Sequence, residues 1–164
     1  MMDIVQLNCQ RSVPVMLDLS VRLCELNCSI ALLQEPYFAH GGVRGLPASM
    51  RVYADKKGES CVVIVDVNLS CVVVSESEYG VCVCVEGPLG RLLVASSYCR
   101  LSCGLEPYIE FWERLLYIAD STPLLLAADA NACSPLWFSK TSSVRRRPNR
   151  IRGEMLAEWV ISNR

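Results

Sequence analysis

The segment from Leu124 to Trp137 constrains the fold of this chain more than any other. It opens with a run of apolar residues, 124–128, which is typical of a buried β-strand. The run stops at Asp129 and Asn131, and because Asp and Asn are poor strand formers, both are expected where the strand passes into a loop. Ligands bind at such a rim in open α/β sheets. The alternative is that the two side chains only build an Asx turn.

Three other predicted strands also run into polar residues. The first ends at Asn8, the second runs into Glu35, and a later one ends at Tyr98. If these strands share one rim with the strand that ends at Asp129, their side chains meet in a single cleft. Carboxylate and amide oxygens in such a cleft suit a divalent cation and chemistry on an anionic ester. For Tyr98, a buried tyrosine with a hydrogen-bonded hydroxyl is the alternative.

The order of the predicted elements indicates an α/β fold. The chain opens with a strand over 3–8, a helix capped by Ser12, and a strand over 30–34 that is apolar without alternation and so covered on both faces. A right-handed crossover would make the two strands parallel and place Asn8 and Glu35 at the same end. The apolar stripe predicted for the helix consists of Leu17, Val21, Cys24 and Cys28.

Five more strands follow a glycine-rich loop over 36–47. Short turns between them indicate an antiparallel meander. A helix from Glu106 then leads to the strand at Leu124, so a strand-helix-strand unit occurs in both halves. This repetition predicts two sheets packed face to face with helices outside. The five strands span 51–54, 60–66, 70–75, 81–86 and 91–98, and the apolar face of the helix consists of Tyr108, Trp112, Leu115 and Ala119.

Two segments suit contact with nucleic acid. A polar loop predicted over 139–152 concentrates positive charge on a chain whose net charge is −1. Guanidinium groups match phosphate oxygens, so backbone contact is predicted here, with a merely solvated loop as the alternative. In the loop over 36–47, aromatic and cationic residues suit base stacking or groove contact, and a surface loop with scattered aromatics is the alternative. The arginines of the polar loop are Arg145, Arg146, Arg147, Arg150 and Arg152, and the apolar face of the final helix is Met155, Leu156, Trp159 and Val160.

Length and composition set the broad class. At 164 residues, just over half of them apolar, the chain is expected to form one domain with a single core. No signal peptide or membrane-spanning stretch is expected from the sequence. The ten cysteines show no C-x-x-C pair, and His40 is the sole histidine. The cysteines are therefore interpreted as small core residues in a reducing compartment rather than as a disulfide or zinc framework.

Five motifs occur in the order Asn8, Leu33-Gln34-Glu35-Pro36-Tyr37, Tyr98, Asp129-Ala130-Asn131-Ala132 and Ser134-Pro135-Leu136-Trp137. Together they resemble the endonuclease/exonuclease/phosphatase superfamily. With Arg152-Gly153, they resemble more closely the apurinic-endonuclease-like domain at the N-terminus of non-LTR retrotransposon polyproteins, especially the site-specific clade. The resemblance covers residues 3–164.

The resemblance implies a four-layered α/β sandwich over residues 1–164. It also implies an endonuclease that nicks double-stranded DNA with Mg²⁺, or with Mn²⁺ as an alternative, and that primes reverse transcription at the nick. Glu35 and Asn8 are the implied metal site. Tyr98, Asp129 and Asn131 complete the implied catalytic set, and the resemblance favours DNA contact by Tyr37.

The sequence departs from the family pattern at three points. Ala128 stands where Gly is usual, Cys133 stands where His is frequent, and the closing Ser-Asp-His segment is not among the 164 residues. We therefore expect the second sheet to be incomplete, with little beyond the strands at Tyr98 and Asp129, and the chain alone to have little activity.

Two other functions remain open. One is an abasic-site repair nuclease or small-molecule phosphatase of the same superfamily, and the other is a non-catalytic remnant that binds nucleic acid. For the retrotransposon function, the expected partners are target DNA and a reverse transcriptase domain in the same polyprotein, with no membrane. The expected location is intracellular, and nuclear at the site of action.

Overall fold

A computed structural model of the protein describes residues 2–88, 90–137 and 147–163, with residues 147 and 148 described by their backbone alone. Strands and helices in these ranges form an α/β architecture. In chain order, the elements are β1 (Ile4–Asn8), α1 (Val13–Glu25), β2 (Ile30–Gln34), β3 (Phe38–Ala39), β4 (Gly42–Val43), β5 (Arg51–Ala54), β6 (Ser60–Ile64), β7 (Ser70–Glu76), β8 (Val81–Gly87), β9 (Gly90–Tyr98), α2 (Glu106–Ala119), β10 (Leu124–Asp129), a short 3-10 turn (Pro135–Trp137) and α3 (Arg147–Ser162).

The first sheet has the strand order β1-β2-β6-β5. Its opening strands β1 and β2 are parallel, with Asn8 beside Gln34 in the register, and α1 makes the crossover between them. All five residues of β2 are buried, which confirms that this strand is covered on both faces. The parallel pairing brings Asn8 and Glu35 to the same end of the sheet, as the sequence predicts.

The second sheet has the order β10-β9-β8-β7. Strands β10 and β9 are parallel, whereas β8 pairs antiparallel with both of its neighbours. The prediction that this sheet holds little beyond the strands at Tyr98 and Asp129 is wrong, since four strands are described. The prediction that all five strands form one antiparallel meander is also wrong, because β5 and β6 belong to the first sheet and β7 to β9 to the second.

Three apolar clusters define the four layers. One lies between α1 and the outer face of the first sheet. A second fills the space between the sheets, where Ile30, Leu32 and Val62 face Val83 and Val94. The third lies between the outer face of the second sheet and helices α2 and α3. The predicted sandwich of two sheets with helices outside is therefore confirmed.

Helix α1 begins where the sequence predicts but buries a different face. The Ser12 hydroxyl accepts a hydrogen bond from the Val15 amide at 3.4 Å and caps the helix. Met16 and Leu23 are buried, whereas Leu17 and Val21 are each 54% exposed and Cys24 is also exposed. The prediction that the stripe through Leu17 is the buried face of α1 is therefore wrong. Two apolar stripes with helical spacing run side by side here, and contact with the sheet selects the other one.

Helix α2 buries the predicted face. Tyr108, Trp112, Leu115 and Ala119 are buried, and Phe111 joins them. In α3, Met155, Leu156 and Trp159 pack on the third cluster as predicted, whereas Val160 is 42% exposed. The rings of Trp112 and Trp159 lie 5.3 Å apart between the two helices.

Two predicted loops contain regular structure. The segment over 36–47 includes the hairpin of β3 and β4. The loop predicted over 139–152 is wrong from Arg147 onward, because α3 begins there. Residues 138–146, including Arg145 and Arg146, lie outside the described residues.

All ten cysteines fall within the described residues, and all are free. Most contribute to the apolar clusters: Cys82 is buried and Cys84 packs on the same cluster, as the spacing predicts. Cys24 is an exception, since it is exposed on α1. Among the described residues, no helix is both long and apolar enough to cross a bilayer.

Candidate active site

Four strand ends converge at one rim of the sandwich. Asn8 ends β1 and Glu35 follows β2 in the first sheet, while Tyr98 ends β9 and Asp129 ends β10 in the second. Tyr98 and Asp129 are partners in the parallel register of β9 and β10. The structure thus brings together four residues that the sequence proposes for one cleft.

The side chain of Asn8 links the two carboxylates. Its Nδ2 donates to Glu35 Oε2 at 3.1 Å and to Asp129 Oδ2 at 2.7 Å. Its Oδ1 accepts from the Gln10 amide at 2.8 Å, which fixes the orientation of the side chain. An amide that donates to both acids offsets part of the repulsion between two nearby negative charges. Asn8 therefore connects the acidic groups of the two sheets.

Tyr98 completes the cluster. Burial raises the pKa of Tyr98 above its ordinary value, and its interactions with the nearby carboxylates of Glu35 and Asp129 raise it further. The phenol is consequently held in its neutral form, which can donate a hydrogen bond to an anion.

Asn131 shapes the loop after β10. Its backbone amide donates to Asp129 Oδ1 at 3.2 Å, and its Nδ2 donates to the Cys99 carbonyl at 3.2 Å. The Asx turn considered for this pair is therefore present. It coexists with the cleft, because the other oxygen of Asp129 reaches Asn8.

Sequence reasoning missed a charged group beside these residues. Arg11 Nε lies 3.4 Å from Glu35 Oε1, and its guanidinium also lies 3.6 Å from Glu59 Oε1. Glu59 in turn pairs with Arg100. The sequence could have indicated this charged group, because Glu59 immediately precedes β6 at the rim and Arg100 follows β9. Two cations thus partly balance the three carboxylates of Glu35, Glu59 and Asp129.

A buried polar contact supports the rim from below. Gln34 is 1% exposed, and its Nε2 donates to Ser96 Oγ at 3.0 Å across the sheet interface. Gln6 donates to Gln34 Oε1 at 3.2 Å. Ser96 Oγ donates to the Leu33 carbonyl at 2.9 Å. Because buried polar groups are costly unless paired, this set fixes how the two sheets meet beneath the cleft.

Backbone strain also collects here. Gln10, Arg11, Glu35 and Asn131 have positive φ angles of 51°, 53°, 47° and 47°, although none is glycine. Left-handed conformations are uncommon for such residues and persist where surrounding contacts hold them. Hydrogen bonds from the Arg11 amide to the Glu35 carbonyl, at 2.7 Å, and from Asn131 to Asp129 do so here.

Arg152 does not lie on the surface as predicted. It is 6% exposed, and its guanidinium donates to the carbonyls of Cys103 at 2.6 Å, Ala130 at 3.0 Å and Cys99 at 3.2 Å. These carbonyls belong to the segments after β9 and β10. Arg152 is therefore a structural residue that holds the two segments together, and the expectation of phosphate contact is wrong for it.

Gly153 allows α3 to approach the loop that carries Asn131. A Cβ at Gly153 would lie 2.0 Å from the carbonyl oxygen of Cys133. The Cys133 amide also donates to the Asn149 carbonyl at 2.9 Å. The Arg152-Gly153 pair thus closes α3 over the loop after Asp129.

The other predicted contact residues differ in their surroundings. Arg150 is exposed and pairs with Glu154 at 2.9 Å. Tyr37 is half-buried and packs on the first apolar cluster beside the cleft. His40 is exposed in the turn between β3 and β4. Arg147 lies in the first turn of α3 and is described by its backbone alone.

The oxygen donors at the rim fit a metal that takes few protein ligands. Among residues 2–88, 90–137 and 147–163, no group of three or more His, Cys, Asp or Glu side chains is close enough to hold a metal ion. The rim instead offers the carboxylates of Glu35 and Asp129 joined by Asn8. Mg²⁺ is typically bound by one or two carboxylates with water or phosphate in its other positions.

The fold matches a solved structure. The endonuclease domain of TRAS1, a telomere-specific non-LTR retrotransposon, superposes with a TM-score of 0.79 at 23% identity, covering 96% of this chain and 69% of that domain. No protein-family model matches the chain. The fold of this chain is therefore that of the TRAS1 endonuclease domain, in agreement with the four-layered sandwich that the sequence resemblance implies.

Two curated relatives point to one kind of element. The chain is 36% identical, over its whole length, to a 115 kDa protein in the type-1 retrotransposable element R1DM of Drosophila melanogaster. It is 39% identical over 76% of its length to the Pol polyprotein of the R1 element of Bradysia coprophila. The chain is thus homologous to R1 retrotransposon proteins and spans 16% and 13% of the lengths of these two relatives.

Proposed function

We propose that the chain provides the DNA-nicking activity of an R1-like non-LTR retrotransposon. In this function it hydrolyses a phosphodiester of double-stranded target DNA with a divalent metal, and the nick primes reverse transcription. The observation that carries the proposal is the bridge from Asn8 to Glu35 and Asp129, which joins acidic groups of two sheets at one open rim. The relatives named above supply the retrotransposon context.

Glu35 is the first candidate for the metal ligand. A Mg²⁺ ion, or Mn²⁺ in its place, neutralises charge on the phosphate and stabilises the leaving oxygen when bound. Asn8 donates its amide N–H groups to both carboxylates, so it supports Glu35 by holding the carboxylate in position. Direct ligation by Asn8 would need its amide to turn over.

The remaining site residues have separate roles. Asp129, on the other side of Asn8, orients or deprotonates the attacking water or protonates the leaving oxygen. Tyr98, held neutral, donates to the scissile phosphate. Asn131 has its amide nitrogen on the Cys99 carbonyl, so its contribution to phosphate binding would require that contact to open.

A second candidate function is a non-catalytic module that binds nucleic acid. The family pattern has a histidine in its closing Ser-Asp-His segment, whereas the sole histidine of this sequence, His40, is exposed on the β3–β4 turn. This difference favours the second function. We therefore propose that the 164 residues alone nick DNA weakly. A Ser-Asp-His segment of the kind that the resemblance implies, joined at the C-terminus, would raise the rate. This joined protein is called the extended domain below.

The proposal extends to location and partners. The proposed target is chromosomal DNA, so the nucleus is the proposed site of action, with a reverse transcriptase domain in the same polyprotein as the proposed partner. Repair of abasic sites and hydrolysis of small phosphate esters are the alternatives from the same superfamily. Rates on intact duplex, abasic duplex and inositol phosphates would separate the three.

The decisive experiment measures nicking of supercoiled plasmid by the extended domain in Mg²⁺. Glu35→Ala is expected to abolish nicking while leaving DNA binding largely intact. Asp129→Asn is expected to lower the rate by about 10²–10⁴-fold, which is typical for loss of an acid–base group. Glu113→Gln, on the exposed face of α2, is the control. Nicking by Glu35→Ala at the control rate would refute the proposed function.

A further inference from the structure

We propose that a pocket beside the cleft binds one nucleotide of the DNA next to the scissile phosphate. This inference rests on the proposed function, since it assumes a DNA strand at the rim. The pocket has a volume of about 310 Å³ and opens between the segments 36–38 and 57–59. Its lining consists of Arg11, Pro36, Tyr37, Phe38, Lys57, Gly58 and Glu59.

The pocket is continuous with the candidate active site. Arg11 lines the pocket and also lies 3.4 Å from the Glu35 carboxylate. Glu59 lines it as well, and its backbone carbonyl accepts a hydrogen bond from the Glu35 amide at 2.8 Å. A strand whose phosphate sits at Glu35 would therefore place an adjoining nucleotide at this opening.

The aromatic wall depends on a glycine. Phe38 is 41% exposed, and its ring packs against Gly58 so closely that a Cβ there would lie 2.3 Å from Phe38 Cδ2. Gly58 has a φ of +69°, in the left-handed region. Together with Tyr37, the exposed part of the Phe38 ring offers a surface on which a base can stack, irrespective of its identity.

The charges around the pocket suit a phosphate-linked ligand. Arg11 and Lys57 have side chains that are 60% and 41% exposed. Their ion pairs to Glu35, Glu59 and Glu78 are partly exposed and therefore weak, so both cations can turn to phosphate oxygens. Arg100 pairs with Glu59 and so compensates the negative charge of the pocket wall.

Aromatic surface, two cations and room for one base together favour a nucleotide over a peptide side chain. The test is photocrosslinking of the protein to a DNA duplex in which iododeoxyuridine replaces thymidine, followed by peptide mapping. We expect crosslinks at Tyr37 or Phe38. Crosslinks that fall entirely on other aromatic residues, such as Trp137, would overturn the proposal.

Two glycine variants provide a matched pair. Gly58→Ala pushes a methyl group into the Phe38 ring, whereas Gly41→Ala, at a similar φ of +74°, meets no atom within 4 Å. Both impose left-handed strain on alanine, but only the first disturbs the pocket. We expect Gly58→Ala to remove the crosslink and raise Kd about fivefold or more, the effect of losing one stacked base. Equal effects of the two variants would overturn the proposal.

Phe38→Leu guards against a folding defect in Gly58→Ala, because it leaves the turn at Gly58 unchanged. It should lose the Phe38 crosslink and weaken DNA binding while unfolding at the parent temperature.

The outcomes of these experiments also distinguish the pocket proposal from the proposed function. A crosslink in the pocket with Mg²⁺-dependent nicking unaffected by Glu35→Ala would refute the proposed function alone. Glu35-dependent nicking that is unchanged in Gly58→Ala, with no crosslink at Tyr37 or Phe38, would refute the pocket alone.

Discussion

Asn8 and Asp129, 121 residues apart in the sequence, share a hydrogen bond of 2.7 Å between an amide nitrogen and a carboxylate oxygen. Asn8 ends β1 at the edge of the first sheet, and Asp129 ends β10 at the edge of the second. The bond therefore joins the two sheets at the rim where the site lies. The same amide reaches Glu35, so one neutral side chain holds two acids in place.

Replacing Asn8 by Asp should destabilise the protein in the absence of divalent metal. The change removes two hydrogen bonds to carboxylates, worth about 1.5–3 kcal/mol each, and adds a third negative charge. Mg²⁺ should restore much of the loss, because it neutralises the added charge. Urea unfolding with EDTA and with Mg²⁺ measures both effects. Asn163→Asp, near the end of α3, is the control, and an equal response to Mg²⁺ in the two variants would contradict the prediction.

Replacing Arg152 should lower the free energy of unfolding, whereas replacing Arg150 on the same helix should change it little. Arg152→Met leaves buried carbonyls unpaired and should cost about 1.5–3 kcal/mol or more of the free energy of unfolding. Arg150→Met, at an exposed position, should change it by no more than about 0.5 kcal/mol. Chemical denaturation of both variants measures the difference.

For the salt dependence of DNA binding, replacing Arg150 should instead have the larger effect. If Arg150 contacts a phosphate, Arg150→Met lowers the slope of log K against log salt by about 0.9, whereas a folded Arg152→Lys leaves the slope unchanged. A slope altered by Arg152→Lys alone would show that the buried guanidinium reaches DNA.

Neutralising Arg145, Arg146 and Arg147 together should weaken DNA binding on every sequence. Loss of three phosphate contacts makes the salt slope shallower by about three units, at roughly 0.9 per contact. Tyr37→Ala should instead change the preferred site more than the slope. Filter binding at several salt concentrations checks both, and an unchanged slope would mean that these arginines point to solvent.

Alkaline pH should destabilise the fold through buried groups of the third apolar cluster. Burial raises the pKa of Cys82 from 9.0 to about 12, and that of Tyr108 from 10.0 to about 12. Because the folded-state pKa values lie above the unfolded ones, the stability contribution is complete below about pH 9. It is lost as the pH rises toward about 12.

Equilibrium unfolding between pH 8 and pH 12 measures this loss. Cys82→Ala should show a smaller decline above pH 9 than the parent, and Cys24→Ala, at an exposed position, should show the parent's decline. Identical curves for all three proteins would mean that Cys82 ionises freely in the folded state.

The sequence determined the elements and their polar ends. Unbroken apolar runs over 30–34 and 124–128 specify strands, and the polar residues that follow them stand at strand ends because Asn, Asp and Glu disfavour strands. Parallel pairing through a right-handed crossover was also predictable, since the chirality of the chain allows little else. For these reasons Asn8, Glu35, Tyr98 and Asp129 could be placed on one rim.

Only the tertiary structure decided the contacts that local patterns leave open. The stripes through Met16 and Leu17 have the same helical spacing, and packing on the sheet selected the first. Arg152 and Arg150 are the same residue type two positions apart. Arg152 is buried and donates to three carbonyls from distant segments, whereas Arg150 is exposed. Arg11, Glu59 and Arg100 meet through long-range pairing of strands. Such choices depend on which surfaces face each other, and free energy of burial is not encoded in spacing alone.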